Sequence, residues 1–473
     1  MSQPLYQRLA ENLQQQIAQG ILSPGDKLPS VRRFSEEQQI SHGTVISCYN
    51  LLEKMNLIEA RPQSGYYVTE PTPTLVNQPK AIATPCNPVE VTLGNLALQV
   101  MTLTDSKNKI PMGAAYPSKE FPMCKQLWRE MARQARLQGQ QDMTAPQGYS
   151  VPPGEAELIR QLARQYGPLS LDINQESLVI TNGCQEALSL SLQATTSQGD
   201  IIAVESPVFY GTLQLIEALG LKVIEIPAIA EQGLSLEALK LALQQWPVKA
   251  VLTTANIGNP LGYLMPDSKK QELLSILKQY DLPLIEDDVF GDLAYGPGRP
   301  LPIKAFDTEG RVLWCSSISK SIDPGIRIGW VSAGRYNEQI RYLKYVSTMA
   351  SPGITQLTVS TLLQGSSYPR HLRLIKQTYQ RRRDQMIHWV QRYLPEATRM
   401  TFPQGGFLLW LELPDDTANS LLLHQQALQH KISIAPGILF SATENYRHCI
   451  RLNYGCAGSD EYGQAVKQLA SLL

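Results

Sequence analysis

From about residue 89 onward, short apolar runs alternate with helical segments, and this alternation is the strongest constraint on the fold. The clearest runs, each four or five residues long, are 178–181, 201–204, 250–254, 282–285 and 312–315. Short apolar runs bounded by turns are typical of strands that helices cover on both faces. Residues 89–473 are therefore predicted to form an α/β domain with a mainly parallel sheet and, from about residue 370, a smaller C-terminal α+β lobe.

Residues 1–70 are predicted to form a separate module. Apolar residues at every fourth position give one helical stripe near the start, and Ser30 and Ser41 are suited to cap two further helices. Two β-like runs around residues 61–65 predict a hairpin. The inward side chains of the third helix are expected to be Val45, Tyr49, Leu52 and Met55. Three helices followed by a hairpin describe a winged helix-turn-helix.

Residues 71–88 are expected to connect the two domains. This stretch holds five prolines, no aromatic residue and no hydrophobic periodicity. Such a composition favours a semi-rigid linker, which would span at most about 56 Å at about 3.1 Å per residue.

Composition narrows the protein class. The 42 basic and 42 acidic residues cancel, so the net charge gives no sign of a polyanionic partner. No run of about 18 apolar residues is present, which predicts no membrane span. The seven cysteines show no Cys-x-x-Cys spacing, which argues against a disulfide framework and against a metal site. A cytoplasmic location is the simplest expectation.

The stretch around Lys320 suggests an aldehyde cofactor with a phosphate group. Small hydroxyl residues surround the lysine, and Arg327 follows a Pro-Gly bend. A lysine amine can form a Schiff base with an aldehyde, while Ser317 and Arg327 can hold a phosphate. These residues resemble the Ser-x-Ser-Lys…Pro-Gly-x-Arg-x-Gly signature of fold-type I enzymes that use pyridoxal phosphate. The alternative is a surface lysine in a serine-rich loop.

Further motifs follow the order of this family. The helix start at 183–185 can bind the phosphate through backbone N–H groups. The resemblance implies that Asp287 pairs with the pyridinium nitrogen, Asn259 donates to the ring oxygen and Phe209 stacks on the ring. The complete set of residues implied to bind pyridoxal phosphate, with Lys320 as the catalytic residue, is Lys320, Asp287, Asn259, Phe209, Gly183, Cys184, Gln185, Ser317, Ser319, Arg327, Phe290 and Tyr149.

Two residues carry implications about partners. In the family, a tyrosine at the position of Tyr149 reaches the phosphate of the neighbouring subunit, which implies a homodimer with shared sites. An arginine at the position of Arg451 clamps a substrate α-carboxylate, which implies a small amino compound as substrate or effector.

Phe290 departs from the family pattern, which has a tyrosine there. A lost hydrogen bond to a charged acceptor is worth about 1.5–3 kcal/mol. The pKa of the Schiff base is then expected to rise by about 1–2 units. We interpret this as a cofactor that is held firmly but poorly tuned for rapid turnover.

Residues 1–70 resemble the GntR class of winged helix-turn-helix regulators in the motifs at 25–32, 41–45 and 62–68. The module holds six basic and seven acidic residues, so weak binding by a monomer and paired DNA half-sites for a dimer are expected. The alternative is a protein-interaction module. The implied DNA contacts are Arg32, Ser41, His42, Gly43, Thr44, Arg61, Ser64 and Gly65.

The combined layout resembles the MocR subfamily of GntR regulators. It implies a transcriptional regulator whose aminotransferase-like domain binds pyridoxal phosphate and senses the cofactor or an amino compound. A working aminotransferase with an accessory DNA-binding module is the second hypothesis. A third has the large domain as a cofactor-free dimerisation scaffold, which the complete lysine motif disfavours.

Overall fold

The computed structural model resolves two units, Met1–Leu75 and Val76–Leu473. It describes residues 4–18, 22, 25–55, 57–61, 64–69, 76–79, 81, 87–94, 96–104, 110–140, 148–296, 298–414, 419–457 and 460–473. Much of the predicted linker (71–75, 80 and 82–86) and the side chain of Arg61 lie outside the described residues. Within those ranges, no helix has both the length and the apolar character needed to cross a membrane.

The described part of the first unit consists of three helices and a hairpin. Ser30 Oγ accepts a hydrogen bond from Arg33 N (3.3 Å), and Ser41 Oγ accepts one from Thr44 N (3.1 Å), so both serines cap helices as predicted. The prediction that Met55 points inward is wrong: it follows the last helical residue and is 47% exposed. The helices are Leu5–Ala18, Val31–Gln38 and His42–Lys54, and the antiparallel strands are Ile58–Arg61 and Gly65–Val68.

A nine-stranded sheet forms the centre of the second unit, counting the described residues. Its four inner ladders are parallel, whereas Gly329–Ser332 runs antiparallel to both neighbours. The predicted mainly parallel sheet is therefore confirmed. The strands in spatial order are Val89–Glu90, Lys222–Ile229, Ile201–Ser206, Val248–Thr253, Leu284–Asp287, Val312–Ser317, Gly329–Ser332 and Leu178–Thr181, with Gly233–Leu234 beside Lys222–Ile229.

Helices surround this sheet, so that every residue of Leu284–Asp287 and Val312–Ser317 is buried. The α-helices are Leu96–Thr104, Pro122–Gly139, Ala156–Tyr166, Cys184–Thr195, Tyr210–Ala218, Leu236–Gln245, Asp267–Gln279, Asn337–Thr348 and Gly353–Leu363. The 3₁₀ turns are Gly167–Leu169, Gly291–Leu293, Ile303–Phe306, Pro324–Ile326, Gly334–Tyr336 and Gly437–Phe440.

The C-terminal part forms the small lobe, which we define as residues 367–473. Most of its apolar side chains form a cluster distinct from that of the central sheet, but Trp410, Ala435 and Phe440 pack with the central-sheet cluster. One of its strands, Ile432–Ser433, pairs with Ile110–Pro111 from far earlier in the chain. The helices are Ser367–Tyr393, Ser420–Gln429 and Asp460–Ala470, and the antiparallel sheet follows the order Arg399–Met400, Leu408–Glu412, Cys449–Asn453 and Ala435–Pro436.

Part of the predicted linker is attached to the second unit. Val76 packs against the small-lobe core, and Asn77 O accepts a hydrogen bond from Met400 N at 2.8 Å. Since Met400 lies on an edge strand of the small-lobe sheet, this contact extends the sheet by one backbone hydrogen bond.

Candidate functional site

Parallel strands bring several of the predicted cofactor-binding residues to one edge of the central sheet. Asp287 ends the strand Leu284–Asp287, and Ser317 ends the neighbouring strand, three residues before Lys320. In the register of these strands Asp287 lies opposite Cys315. The carboxyl ends of parallel strands are where ligands bind in open α/β sheets.

The Lys320 amine lies among groups that disfavour its charged form. Its Nζ donates to Ala115 O at 2.8 Å and lies 5.9 Å from the ring centroid of Phe290. Burial and the nearby Arg451 guanidinium lower the pKa of Lys320 to about 8, and Asp287 opposes this shift. A fraction of the amine is therefore neutral near pH 7, as a nucleophilic lysine requires.

The three consecutive acids have different partners. Glu286 accepts hydrogen bonds from Ile303 N (2.7 Å) and Lys304 N (3.0 Å), which fixes a surface turn. Asp288 accepts from Trp314 Nε1 and forms an ion pair with Arg299, both at 2.7 Å. Glu286 and Asp288 thus bind groups of the surrounding fold rather than groups of the candidate site.

Asp287 is the acid of the three that faces the site. It accepts from Val289 N at 3.2 Å and from the thiol of Cys184 at 3.6 Å. Burial raises the pKa of Asp287 to about 6. A cationic ring nitrogen would supply the missing counter-charge.

Gly183 and Arg327, the residues predicted to bind a phosphate, lie next to each other. Gly183 has φ 81° and precedes the helix Cys184–Thr195, whose first N–H groups are unpaired within the helix. Arg327 Nη2 donates to Asn182 O at 2.8 Å, and a Cβ at Gly183 would collide with this guanidinium. Ser319, the residue before Lys320, has a buried Oγ with no hydrogen-bond partner among the described residues.

Arg451 is a buried arginine without a carboxylate partner in the described part of the chain. Its Nη1 donates to Asn259 Oδ1 at 3.1 Å and its Nη2 to Gly113 O at 2.6 Å, while Nε has no partner. The guanidinium lies 5.1 Å from the Phe440 ring centroid and 6.0 Å from that of Tyr210. Because neutral acceptors satisfy only part of this cation, the position is suited to an incoming carboxylate.

The segment 112–116 was missed by the sequence interpretation. The carbonyls of Gly113 and Ala115 accept from Arg451 and Lys320, and those of Ala114 and Tyr116 accept from Asn453 Nδ2 at 2.6 and 2.9 Å. A side chain at Gly113 would collide with the backbone of Ile434. The sequence offered little signal here, because the Pro-Met-Gly motif at 111–113 follows the polar stretch 105–109 and its contacts come from backbone atoms.

Other predicted residues surround this centre to different degrees. Phe209 is half-buried with its ring centroid 4.6 Å from that of Tyr210, and Gln185 Nε2 donates to Gly211 O at 2.9 Å. Ser317 Oγ accepts from Ser319 N at 3.3 Å. Tyr149 is 76% exposed, so a single chain does not bring it into the site.

The predicted DNA contacts lie on the surface of the first unit. Ser41, His42 and Gly43 are exposed at the start of the third helix, with Thr44 half-buried behind them. Arg32 is exposed and paired with Glu36 at 3.1 Å. In the hairpin, Ser64 Oγ lies 2.7 Å from Tyr67 Oη, and Gly65 has φ 112°.

Two family models match the chain. The model "Aminotransferase class I and II" matches residues 115–468, and "Bacterial regulatory proteins, gntR family" matches residues 5–68. Two proteins of Escherichia coli K12, both named uncharacterized HTH-type transcriptional regulators, match almost end to end. YjiR is 39% identical over 98% of this chain and 97% of its own, and YdcR is 40% identical over 99% and 98%.

Solved structures match the second unit. The kynurenine aminotransferase of Pyrococcus horikoshii, in complex with PMP and with kynurenine as substrate, is 27% identical. It covers 80% of this chain and 94% of its own, with a TM-score of 0.71. The expected fold-type I architecture is confirmed.

Proposed function

The chain belongs to the aminotransferase class I and II family and has the MocR architecture, in which a GntR-type domain precedes that fold; on this premise we propose a DNA-binding transcriptional regulator that senses pyridoxal phosphate or an amino compound. The observation that carries the proposal is the convergence of Lys320, Asp287 and Arg451 in a chain that also has a winged helix. Full-length relatives with regulator names support the regulatory output.

The residues at the sheet edge fit pyridoxal phosphate. An unpaired buried hydroxyl at Ser319, a helix start at Gly183 and the Arg327 guanidinium provide for a phosphate. Asp287, a buried carboxylate without a cationic hydrogen-bond partner among the described residues, provides for a pyridinium nitrogen. When bound, the cofactor supplies an aldehyde for amines and an electron-withdrawing ring.

Each side chain then has a definite task. Lys320, neutral in part because its pKa lies near 8, provides the attaching amine. Asp287 would keep a proton at the ring nitrogen, and Asn259 would donate its amide N–H to the ring oxygen. Arg451 exchanges its neutral acceptors, Gly113 O and Asn259 Oδ1, for the carboxylate of an amino acid.

Through this exchange of hydrogen-bond partners at Arg451, a bound ligand can change the position of the small lobe. The carbonyls of residues 113 and 115 bind Arg451 and Lys320, so a ligand that takes both side chains competes with the segment 112–116. The same segment is held by Asn453 in the small lobe. A ligand therefore favours the arrangement of the lobes in which it replaces these contacts, which is the differential affinity that an allosteric effect requires.

The test combines a spectrum with a footprint. Protein loaded with pyridoxal phosphate should be yellow, and borohydride should fix the cofactor to the peptide that contains Lys320. Footprints of the DNA upstream of its own gene should change when an active amino compound is added, and this change should be absent in Lys320→Ala. No protected site at low salt would contradict the regulatory function.

A working aminotransferase is the second candidate. The lowered pKa of Lys320 together with Asp287 and Arg451 favours it, since these are the groups that transamination needs. The absence of a hydroxyl at Phe290 disfavours fast turnover. Steady-state transamination of amino donors at about 1–1000 per second, the usual range for enzymes, would make this the main function.

We also propose a homodimer with shared sites. Trp128, Tyr149 and Val151 are large side chains with exposures of 51%, 76% and 45%. Trp128 lies beside Gly325, in the bend that precedes Arg327. A second copy that covers these residues would place Tyr149 at the phosphate end of its partner's site. Tyr149→Phe should then weaken cofactor binding without changing the mass of the assembly.

A further inference from the structure

The long helix Ser367–Tyr393 concentrates positive charge in a chain with no net charge. It holds seven basic residues and one acidic residue, a formal excess of six positive charges, so the rest of the chain carries an excess of six negative charges. By contrast, residues 1–70 have a formal net charge of −1. Of these two regions, the long helix and not the winged helix is the one that attracts a polyanion by its net charge.

Part of this charge serves the small lobe itself. Arg382 forms an ion pair with Glu120, and Arg383 forms one with Asp384, both at 2.7 Å. Lys376 Nζ donates to Gly298 O at 3.4 Å. These three residues stabilise the fold and are not offered as a binding surface.

The other four basic residues form an exposed row, which we call the arginine row: Arg370, Arg373, Arg381 and Arg392. Spacings of three, eight and eleven residues return to one side of an α-helix, so the four lie on one face. From first to last they span 22 residues, about 33 Å at 1.5 Å per residue. Within the described ranges, none of the four pairs with a carboxylate.

An ordinary solvated helix face mixes both signs of charge. Exposed arginines elsewhere in the second unit follow that pattern, as in the pairs Arg133–Glu130, Arg160–Glu157 and Arg447–Glu444. On the long helix the only acid, Asp384, is already bound to Arg383. Among the residues that the structure describes, the arginine row is thus a line of cations with no ion-pair partner.

We infer that the arginine row binds the phosphate backbone of duplex DNA. The inference rests on the proposed regulatory function. The length of the arginine row is close to one turn of B-DNA, about 34–36 Å. Guanidinium groups bind phosphates with forked hydrogen bonds. Phosphate contacts of this kind give affinity and position but no sequence selectivity.

The arginine row also supplies positive charge that the winged helix of the first unit lacks. Arg32 and Arg33 are paired with Glu36 and Glu37, so two of the six basic residues in that unit are already partly neutralised. Non-specific affinity for DNA comes almost entirely from phosphate neutralisation. A chain whose winged helix carries so little positive charge gains non-specific affinity for DNA from a second basic surface.

The test is the salt dependence of binding by full-length protein loaded with pyridoxal phosphate. The probe is a fluorescently labelled duplex of mixed sequence with at least three helical turns, titrated between about 50 and 200 mM salt. Arg373→Gln with Arg381→Gln should reduce the slope of log K against log salt by about 1.8, or 0.9 for each lost contact. The affinity ratio across the salt range then shrinks by about tenfold.

Arg160→Gln with Arg164→Gln is the matched control, because it removes the same charge from another helix of the second unit, Ala156–Tyr166. Its slope should equal that of the wild type. Equal slopes for Arg373→Gln with Arg381→Gln and for the wild type would overturn the inference. The arginine row would then face solvent or bind an acidic protein. If the wild type binds and only Arg32→Gln lowers the slope, the inference fails while the proposed function stands. If the wild type binds no DNA, both fail.

Discussion

The Nζ of Lys320 lies 5.9 Å from the ring centroid of Phe290, a side chain that cannot donate a hydrogen bond. Phe290 is buried against Phe407, with ring centroids 5.4 Å apart. In Phe290→Tyr, a hydroxyl should reach the cofactor's ring oxygen and stabilise its charged form by about 1.5–3 kcal/mol. We expect the pKa of the visible absorption band to fall by about 1–2 units in a pH titration of the loaded protein.

Lys320→Ala, which should lack the band, is the control for that titration. An unchanged pKa in a Phe290→Tyr protein of unaltered melting temperature would show that residue 290 does not contact the ring oxygen. Faster turnover of an amino donor in the same variant would show that the phenylalanine limits catalysis.

The raised pKa of Asp287 leads to a second prediction, which concerns the stability of the protein without cofactor. Burial raises its pKa to about 6, above the value near 3.9 of an unfolded chain. Between about pH 4 and 6 the folded state therefore binds more protons, so the free energy of unfolding falls as pH rises. Asp287→Asn removes this loss, which amounts to at most about 3 kcal/mol.

Melting temperatures of both apo-proteins across that pH range provide the measurement. The variant should gain stability relative to wild type from pH 4 to 6 and keep the gain above pH 6. Saturation with pyridoxal phosphate should remove the difference, since the pyridinium pays for the buried charge of the wild type. A constant difference at all pH values would contradict the raised pKa.

Gly183 gives a third prediction, with a control inside the chain. Both Gly183 (φ 81°) and Gly199 (φ 87°) adopt a backbone conformation that strains any other residue, by about 1–3 kcal/mol. A Cβ at Gly183 would displace the Arg327 guanidinium, whereas a Cβ at Gly199 would meet open space. Both alanine variants should lose stability, but only Gly183→Ala should bind pyridoxal phosphate at least about tenfold more weakly. Equal cofactor affinities, measured by absorbance titration, would exclude Gly183 from the phosphate site.

Arg451 gives a fourth prediction, about ligand class. Arg451→Gln removes the cation, and a charge-assisted contact of about 1.5–3 kcal/mol corresponds to about 10- to 150-fold in affinity. Spectral titration of the loaded protein should show this loss for α-amino acids. Primary amines without a carboxylate should be unaffected. The same loss for both ligand classes would mean that Arg451 supports the site rather than binding the carboxylate.

The sequence was informative where residue identity and strand position coincide. Asp287 ends a strand and Lys320 lies just beyond one, and apolar runs locate such ends well, whereas Arg451 lies in the middle of the strand Cys449–Asn453. Only the family resemblance singled out Asp287 among the three acids, because Glu286 and Asp288 are otherwise distinguished from it only by distant partners such as Ile303 and Arg299.

Two other features were beyond sequence reasoning for physical reasons. The carbonyls of Gly113 and Ala115 carry no side-chain signature, and their contacts join residues more than 200 positions apart. The apolar period predicted Met55 to point inward, but the helix ends at Lys54, so the period no longer applies there. Helix ends are the least predictable part of such patterns.

The ion pair between Arg32 and Glu36 leads to the last prediction. The two side chains are 84% and 66% exposed, and such pairs are worth at most about 1 kcal/mol. Glu36→Gln should free Arg32 for a phosphate or base and raise DNA affinity by up to about fivefold in a fluorescence titration. Glu37→Gln frees Arg33 with the same change in charge, and Arg33 is not among the predicted contacts. An equal gain in both variants would reflect net charge alone and remove Arg32 from the interface, whereas a gain confined to Glu36→Gln would place Arg32 on the DNA.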